Sequence, residues 1–231
     1  MKRLCTICVR GGSKAVKNKN VRMLQEKPLV AHSILQARNS GLFEVLAVSS
    51  DSEEILEISK KWGADYLIRR PEELASDHAA KLPAIQHCAR EAQKLSGVKF
   101  VTTVDLDATS PLRNEDDIRG AVKLLEDRNA FNVITGAPAR RSPYFNLVEI
   151  DERGFVTLSK RPKKPVVRRQ DAPECFDVNA SIYVWRWDAL LSAAAVLTPE
   201  TLMYVMPEER SRDIDSELDF ELVNFLMGRK T

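Results

Sequence analysis

Apolar positions follow two rhythms along this chain of 231 residues. Short runs rich in β-branched residues read as buried strands. Stretches with apolar residues three or four apart read as helices. Leu4 to Val9 is the first strand-like run. Pro28 to Ser40 carries Leu29, Val30, Ile34, Leu35 and Ala37 at helical spacing, and Gly41 ends it. Phe43–Ser49 reads as a second strand. Glu53–Trp62 reads as a helix, with Ser52 at its N-cap, two acids in its first turn and Gly63 as its stop. Ala64–Ile68 is a third strand. Lys81–Leu95 is a helix with Ile85, Cys88, Ala89 and Ala92 on one face. Lys99–Leu106 is a fourth strand, Asn114 caps a helix reaching Glu126, and Ala130–Ala137 is a fifth strand.

This alternation predicts an α/β architecture, a mostly parallel sheet with helices on both faces. The pattern breaks at Pro138. Tyr144–Ser159 alternates like a hairpin around Asp151-Glu152-Arg153-Gly154. Arg161–Pro173 holds three prolines and many cations, which excludes a helix. Residues 140–175 therefore read as an excursion from a single domain spanning 1–231. Val178–Trp185 returns as a strand, Asp188–Val196 as a short helix, Leu202–Met206 as a last strand and Asp215–Met227 as a helix.

Composition narrows the class. The chain is 44% hydrophobic and 29% charged, enough to bury a core. A net charge of +2 gives no broad basic field and argues against a nucleic-acid binder. No apolar run approaches the roughly 18 residues of a membrane span. The opening MKRLCTICV has no long apolar core before Arg10, so a cytoplasmic protein is expected. Cys5 and Cys8 are spaced like a metal or redox pair. On a strand, however, residues i and i+3 face opposite ways, so they read as small core residues. His32 reads as structural.

Chemistry collects at predicted strand ends. After Val9 come Arg10, Gly11, Gly12, Ser13 and Lys14, then Lys17, Lys19 and Asn20. Four cations on a glycine-containing loop after a first strand suit a polyanion such as a nucleoside triphosphate. The spacing matches neither a Walker A loop nor a dinucleotide fingerprint. A solvated basic loop is the alternative. Asp213 and Asp215 flank one residue before the last helix. Paired carboxylates beside phosphates are what Mg²⁺ takes, and capping of that helix is the alternative.

Five motifs, in order and spanning nearly the whole chain, resemble those of the CMP-sialic acid synthetases (acylneuraminate cytidylyltransferases). They are R-G-G-S-K-x-x-x-x-K-N at Arg10–Asn20, Arg70-Pro-x-x-Leu74-Ala75-x-Asp77, Thr109-Ser-Pro-Leu-Arg113, Asn179-Ala-Ser-Ile-Tyr183, and Asp213-Ile-Asp215-Ser-Glu217-Leu-Asp219. The resemblance implies a Rossmann-like sheet with a protruding dimerisation arm at 140–175, and hence a homodimer. It implies that CTP and a nine-carbon 2-keto-3-deoxy sugar acid give a CMP-sugar and pyrophosphate. Arg10 and Lys19 would hold the triphosphate with Gly11, Gly12, Ser13 and Lys14 assisting. Asn20 and Arg70 would read the cytosine, and Asp213 and Asp215 would hold Mg²⁺. Asp107, Thr109, Arg169 and Tyr183 would meet the sugar, Arg169 at its carboxylate.

Three positions depart from the family pattern. Ala15 and Ala180 stand where glycine is common, and Asp107 stands where neuraminate enzymes tend to have glutamine. D-x-T-S-P-L-R is similar to the bacterial branch acting on legionaminic acid and related diamino sugars. An octulosonate enzyme and a non-catalytic nucleotide binder are the alternatives.

Overall fold

A strand covered on both sides needs apolar residues in successive positions, and Leu4 to Val9 supplies most of them. In the computed structural model, which describes residues 1–12, 16–76, 79–162 and 166–229, this run forms β1 (Arg3–Cys8). There follow β2 (Met23–Leu24), β3 (Lys27–Pro28), α1 (Leu29–Ser40), β4 (Val45–Ser50), α2 (Glu53–Lys61), β5 (Tyr66–Arg69), α3 (Lys81–Ser96), β6 (Thr102–Leu106) and α4 (Glu115–Arg128). Next come β7 (Asn132–Pro138), β8 (Val148–Ile150), β9 (Val156–Leu158), β10 (Phe176–Arg186), α5 (Trp187–Ser192), β11 (Thr201–Val205) and α6 (Glu217–Gly228).

The main sheet has seven strands in the order β11-β7-β10-β6-β1-β4-β5. β1 pairs in parallel with β4 and β6, β4 with β5, and β7 with β11. The expected mostly parallel sheet is therefore present. β10 alone runs antiparallel to its neighbours β6 and β7. Residues 140–175 lie between β7 and β10 without a crossover helix, and an antiparallel return needs none.

Alternation along β1 splits the core. Cys5 and Ile7 pack with Ile34, Ile55 and Ile118, from α1, α2 and α4. Leu4 packs on the other face with Ile85 of α3 and Leu190 of α5. Cys5 and Cys8 face opposite sides as the strand period requires, and both are free thiols. His32 is buried and bonds the Leu24 carbonyl through Nε2, a structural role.

Local signals set several boundaries. The Ser52 hydroxyl accepts from the Ile55 N–H, and Asn114 and Asp117 form a reciprocal capping box. Several ends differ from expectation, two helix ends among them. α5 stops at Ser192, short of Val196. α6 starts at Glu217, because Ser216 with Asp219 is its capping box. The small β2–β3 hairpin, turning through Gln25 and Glu26 at positive φ, has no apolar periodicity to announce it.

A third cluster fixes the site. Phe220 and Val223 of α6 and Ile214 before it pack with Leu24, Leu29 and Leu112. The C-terminal helix is thereby clamped beside the chain that follows the basic loop. The excursion makes its own hairpin, β8 with β9, whose Val148, Ile150, Phe155 and Val156 are exposed.

Candidate active site

A cleft of about 290 Å³ opens beyond the carboxyl ends of β1, β5 and β6, where open α/β sheets place ligands. Arg10, Lys19, Asn20, Arg70, Asp107 and Thr109 all line it. Six residues singled out from three separate stretches of the chain thus meet in one place. Ser13, Lys14, Ala15 and Asp77 lie outside the described residues.

The loop after β1 is held from behind. Gly11 donates its N–H to Asp51 Oδ1 at 2.9 Å, so that amide serves the loop's anchorage rather than a ligand. A Cβ on Gly11 would sit 2.9 Å from Ser52 Cβ, which explains a glycine at this close approach. Asn20 is buried, and its Nδ2 donates to the Arg10 carbonyl at 2.9 Å. Its Oδ1 has no hydrogen-bond partner among the described residues. Arg70 is buried and donates to the Ser49 carbonyl at 3.1 Å.

Lys19 joins this loop to the paired acids. Its Nζ donates to the Ile214 carbonyl at 2.6 Å and lies 3.6 Å from Asp215 Oδ1. The Ile214 N–H donates to the Thr109 carbonyl at 2.9 Å. Asn179 donates to Ser211 Oγ, and Arg210 makes a two-pronged pair with buried Asp117 at 2.8 and 2.9 Å. Four ties therefore hold the segment bearing Asp213 and Asp215 beside Lys19 and Thr109 of the cleft, and Asp213 itself lines a separate cavity of about 200 Å³. Because Ser216 and Asp219 cap α6, neither acid is spent on the helix. Burial, then the neighbouring Asp215, push the Asp213 carboxyl above the usual carboxylate range. Among the described residues no group of three or more His, Cys, Asp and Glu side chains could cage a metal alone.

Asp107 faces the protein as much as the cleft. Its Oδ1 accepts from the N–H and hydroxyl of Thr109, both at 2.9 Å, and its Oδ2 accepts from Lys81 at 2.6 Å. Burial alone would raise this carboxyl, but Lys81 and Thr109 overcome that and hold it at about 2. Arg113, the last residue of its motif, is buried beneath. It donates to the carbonyls of Asp107, Ser110 and Ser181. Burial brings its pKa down to about 10.

Lys81 is the cleft residue that sequence reading missed. It opens α3, lines the cleft and lies 4.4 Å from the Tyr183 ring centroid. Its signal was present: a cation in the first turn opposes the helix dipole, so something else must hold it. Tyr183 is buried opposite Asp105 in the β10–β6 register, beneath Lys81 rather than on the cleft wall. Arg169 is not brought to the cleft. It donates to the Ala139 carbonyl at 2.8 Å and lines a separate cavity of about 590 Å³ under the excursion. Ala180 adopts φ +49, the left-handed conformation that explains glycine at this position.

Fold and site together define an open α/β sheet protein in which Lys19 of the basic loop reaches the segment of the paired carboxylates. The chain belongs to the cytidylyltransferase family, whose model matches residues 4–219. It is 44% identical over 227 residues to the post-translational flagellin modification protein B of Campylobacter coli, covering 98% of this chain and 95% of that one. It is equally similar, 44% over the same shares, to a CMP-N,N'-diacetyllegionaminic acid synthase of Campylobacter jejuni. A CMP:2-keto-3-deoxy-manno-octonic acid synthetase solved with CTP superposes with a TM-score of 0.72 over all of both chains. At 16% identity that likeness speaks for the fold alone.

Proposed function

We propose that this protein couples CTP to a nine-carbon 2-keto-3-deoxy sugar acid of the legionaminate kind, releasing pyrophosphate. One observation carries the site reading: Lys19 of the cationic loop reaches the Asp213-Ile214-Asp215 segment. Triphosphate-holding cations and metal-holding acids would then meet at one phosphate chain. The substrate class is supported by the 44% identity to the legionaminic acid synthase.

In the reaction the sugar's anomeric oxygen bonds to the α-phosphorus and loses its proton. The bond from that phosphorus to the bridging oxygen breaks, and pyrophosphate leaves. Arg10 and Lys19 hold the triphosphate and offset charge growing on the leaving group, with Ser13 and Lys14 assisting. Asn20 and Arg70 read the base. The orphaned Asn20 Oδ1 suits a donor such as the exocyclic amino group of cytosine. Asp213 and Asp215 fit a divalent cation: hard oxygen donors not used to cap the helix, one of them raised by burial and then by its neighbour's charge. Phosphate oxygens and water would complete such an ion's shell, and the bound cation would supply charge neutralisation at the phosphates.

The excursion is proposed as a dimerisation arm. Its exposed Val148, Ile150, Phe155 and Val156 make an apolar face that a second copy of the chain would cover. Arg169, remote from its own cleft, would in that dimer serve the neighbour's sugar carboxylate, for which a guanidinium is suited. No helix among the described residues is long and apolar enough to cross a membrane, and a cytoplasmic site of action fits the use of CTP.

The test is pyrophosphate release with CTP, Mg²⁺ and N,N'-diacetyllegionaminate, N-acetylneuraminate or an eight-carbon ketodeoxy acid, against ATP, GTP and UTP. Release with CTP and a nine-carbon acid, fastest with the legionaminate, is expected. Preference for the eight-carbon acid, or CTP binding without release from any pair, would overturn the reading.

A further inference from the structure

The cluster around Lys81 is more elaborate than a buried charge needs. Lys81 reaches from the start of α3 to β6, where Asp105 and Asp107 lie two residues apart. Its Nζ is 2.6 Å from Asp107 Oδ2 and 3.2 Å from Asp105 Oδ2. Only the first contact is an aligned hydrogen bond, since Asp105 Oδ2 has no hydrogen-bond partner among the described residues. An ammonium has three N–H donors, so donors remain for a ligand. The side chain is 25% exposed and lines the cleft. Asp107, in contrast, already accepts three hydrogen bonds from the protein.

Position and charge say which substrate this donor meets. Arg10 and Arg70 follow β1 and β5, on one side of the cleft. The partners of Lys81 lie on or just after β6 and on β10, on the other. Two carboxylates against Lys81 and the buried guanidinium of Arg113 leave the cluster without net positive charge, so it offers phosphate and carboxylate groups no net attraction. A neutral oxygen acceptor, such as an acylamino carbonyl or a hydroxyl, needs only the free N–H donor of Lys81.

We propose that Lys81 is a specificity-determining residue for the sugar acid: its ammonium donates to a neutral acceptor oxygen of that substrate. Asp107 is the positioning residue that holds Lys81 in place. The inference rests on the cytidylyl-transfer reading above. It also moves the burden of sugar choice from Asp107 to its partner.

Steady-state pyrophosphate release separates the possibilities, using wild type, Lys81→Met, Lys81→Arg, Asp107→Asn and the double variant Lys81→Met with Asp107→Asn. Lys81→Met is expected to raise KM for N,N'-diacetyllegionaminate at least tenfold, with KM for CTP within twofold. Lys81→Arg recovers part of the loss. Asp107→Asn raises the same KM by a smaller factor and adds nothing in the Lys81→Met background. A nine-carbon acid bearing hydroxyls in place of the acylamino groups identifies the acceptor. A rise under threefold with it assigns the acyl carbonyl, and an equal rise assigns a hydroxyl. Should Lys81→Met fail to fold, the double variant, with one less unpaired carboxylate, takes the same measurement. An equal rise in both KM values, or a lower Tm with neither KM changed, would overturn the proposal. If wild type turns over no sugar acid, the cytidylyl-transfer reading falls instead, and the inference with it.

Discussion

Two Asp-x-Asp pairs lie near this cleft, each beside a lysine, and their electrostatics are opposite. Asp105 and Asp107 sit on and just after a central strand, with Lys81 between them at 3.2 and 2.6 Å. Asp105 is fully buried, and Asp107 is held at about 2, chiefly by Lys81 acting against burial. Asp213 and Asp215 sit on an irregular segment, where Lys19 comes no closer than 3.6 Å and spends its short bond on a carbonyl. Burial and the neighbouring carboxylate raise Asp213, while the Asp215 side chain is 75% exposed. The first pair carries its counter-charge in the fold. The second has, among the described residues, only Lys19 at 3.6 Å, which is consistent with the cation site proposed for it. Two pairs of the same spacing thus differ in how closely an ammonium is committed to them.

The largest test of this contrast is Asp215→Ala. Turnover should fall on the order of 100-fold or more, because cation binding at developing charge is worth several kcal/mol. Tm should hardly move, since the side chain is mostly exposed and caps nothing. Near-normal activity by the pyrophosphate assay would remove the cation role from this pair.

A smaller effect is expected from the first pair in acid. Lys81 and Thr109 hold the Asp107 carboxyl at about 2 against burial, below the ordinary aspartate value of 3.8. Its stabilisation is therefore complete above about pH 4 and is lost as pH falls towards 2, amounting to about 2 kcal/mol. Urea unfolding of wild type should show that decline, and Asp107→Asn should be flatter across the same window. Parallel curves would mean that Lys81 does not hold Asp107 down.

The smallest test concerns β10, which lays Tyr183 beneath Lys81. Ala180 sits at φ +49 within the irregular pairing between Val178 and Tyr183. Ala180→Gly should raise stability by about 1 kcal/mol by relieving left-handed strain at a non-glycine residue. A fall in the unfolding midpoint would show that the alanine methyl contributes more than the strain costs.

Much of this molecule was readable from its sequence, for local reasons. The strands after Leu4, Phe43 and Ala130 and the helices capped by Ser52 and Asn114 each carry their signal within a few residues. Arg10, Lys19, Asn20, Arg70, Asp107 and Thr109 were nameable because each lies in a motif at a predicted strand end or turn, and strand ends converge in a parallel sheet. Arg113 was legible as part of a motif but not as a buried brace, since a motif records that a residue matters and not which way it faces.

What the sequence determined by itself is the set of elements, their mostly parallel assembly and the loops that bear the chemistry. Propensity, periodicity and capping act over one or two turns of chain. Only the tertiary structure decided that β10 returns antiparallel, that Lys19 meets a segment 195 residues away, that Arg169 lies off the cleft, and that Lys81 serves two aspartates. Those outcomes depend on distances between groups far apart in the chain. Coulomb and hydrogen-bond energies are set by such distances, and local pattern does not contain them.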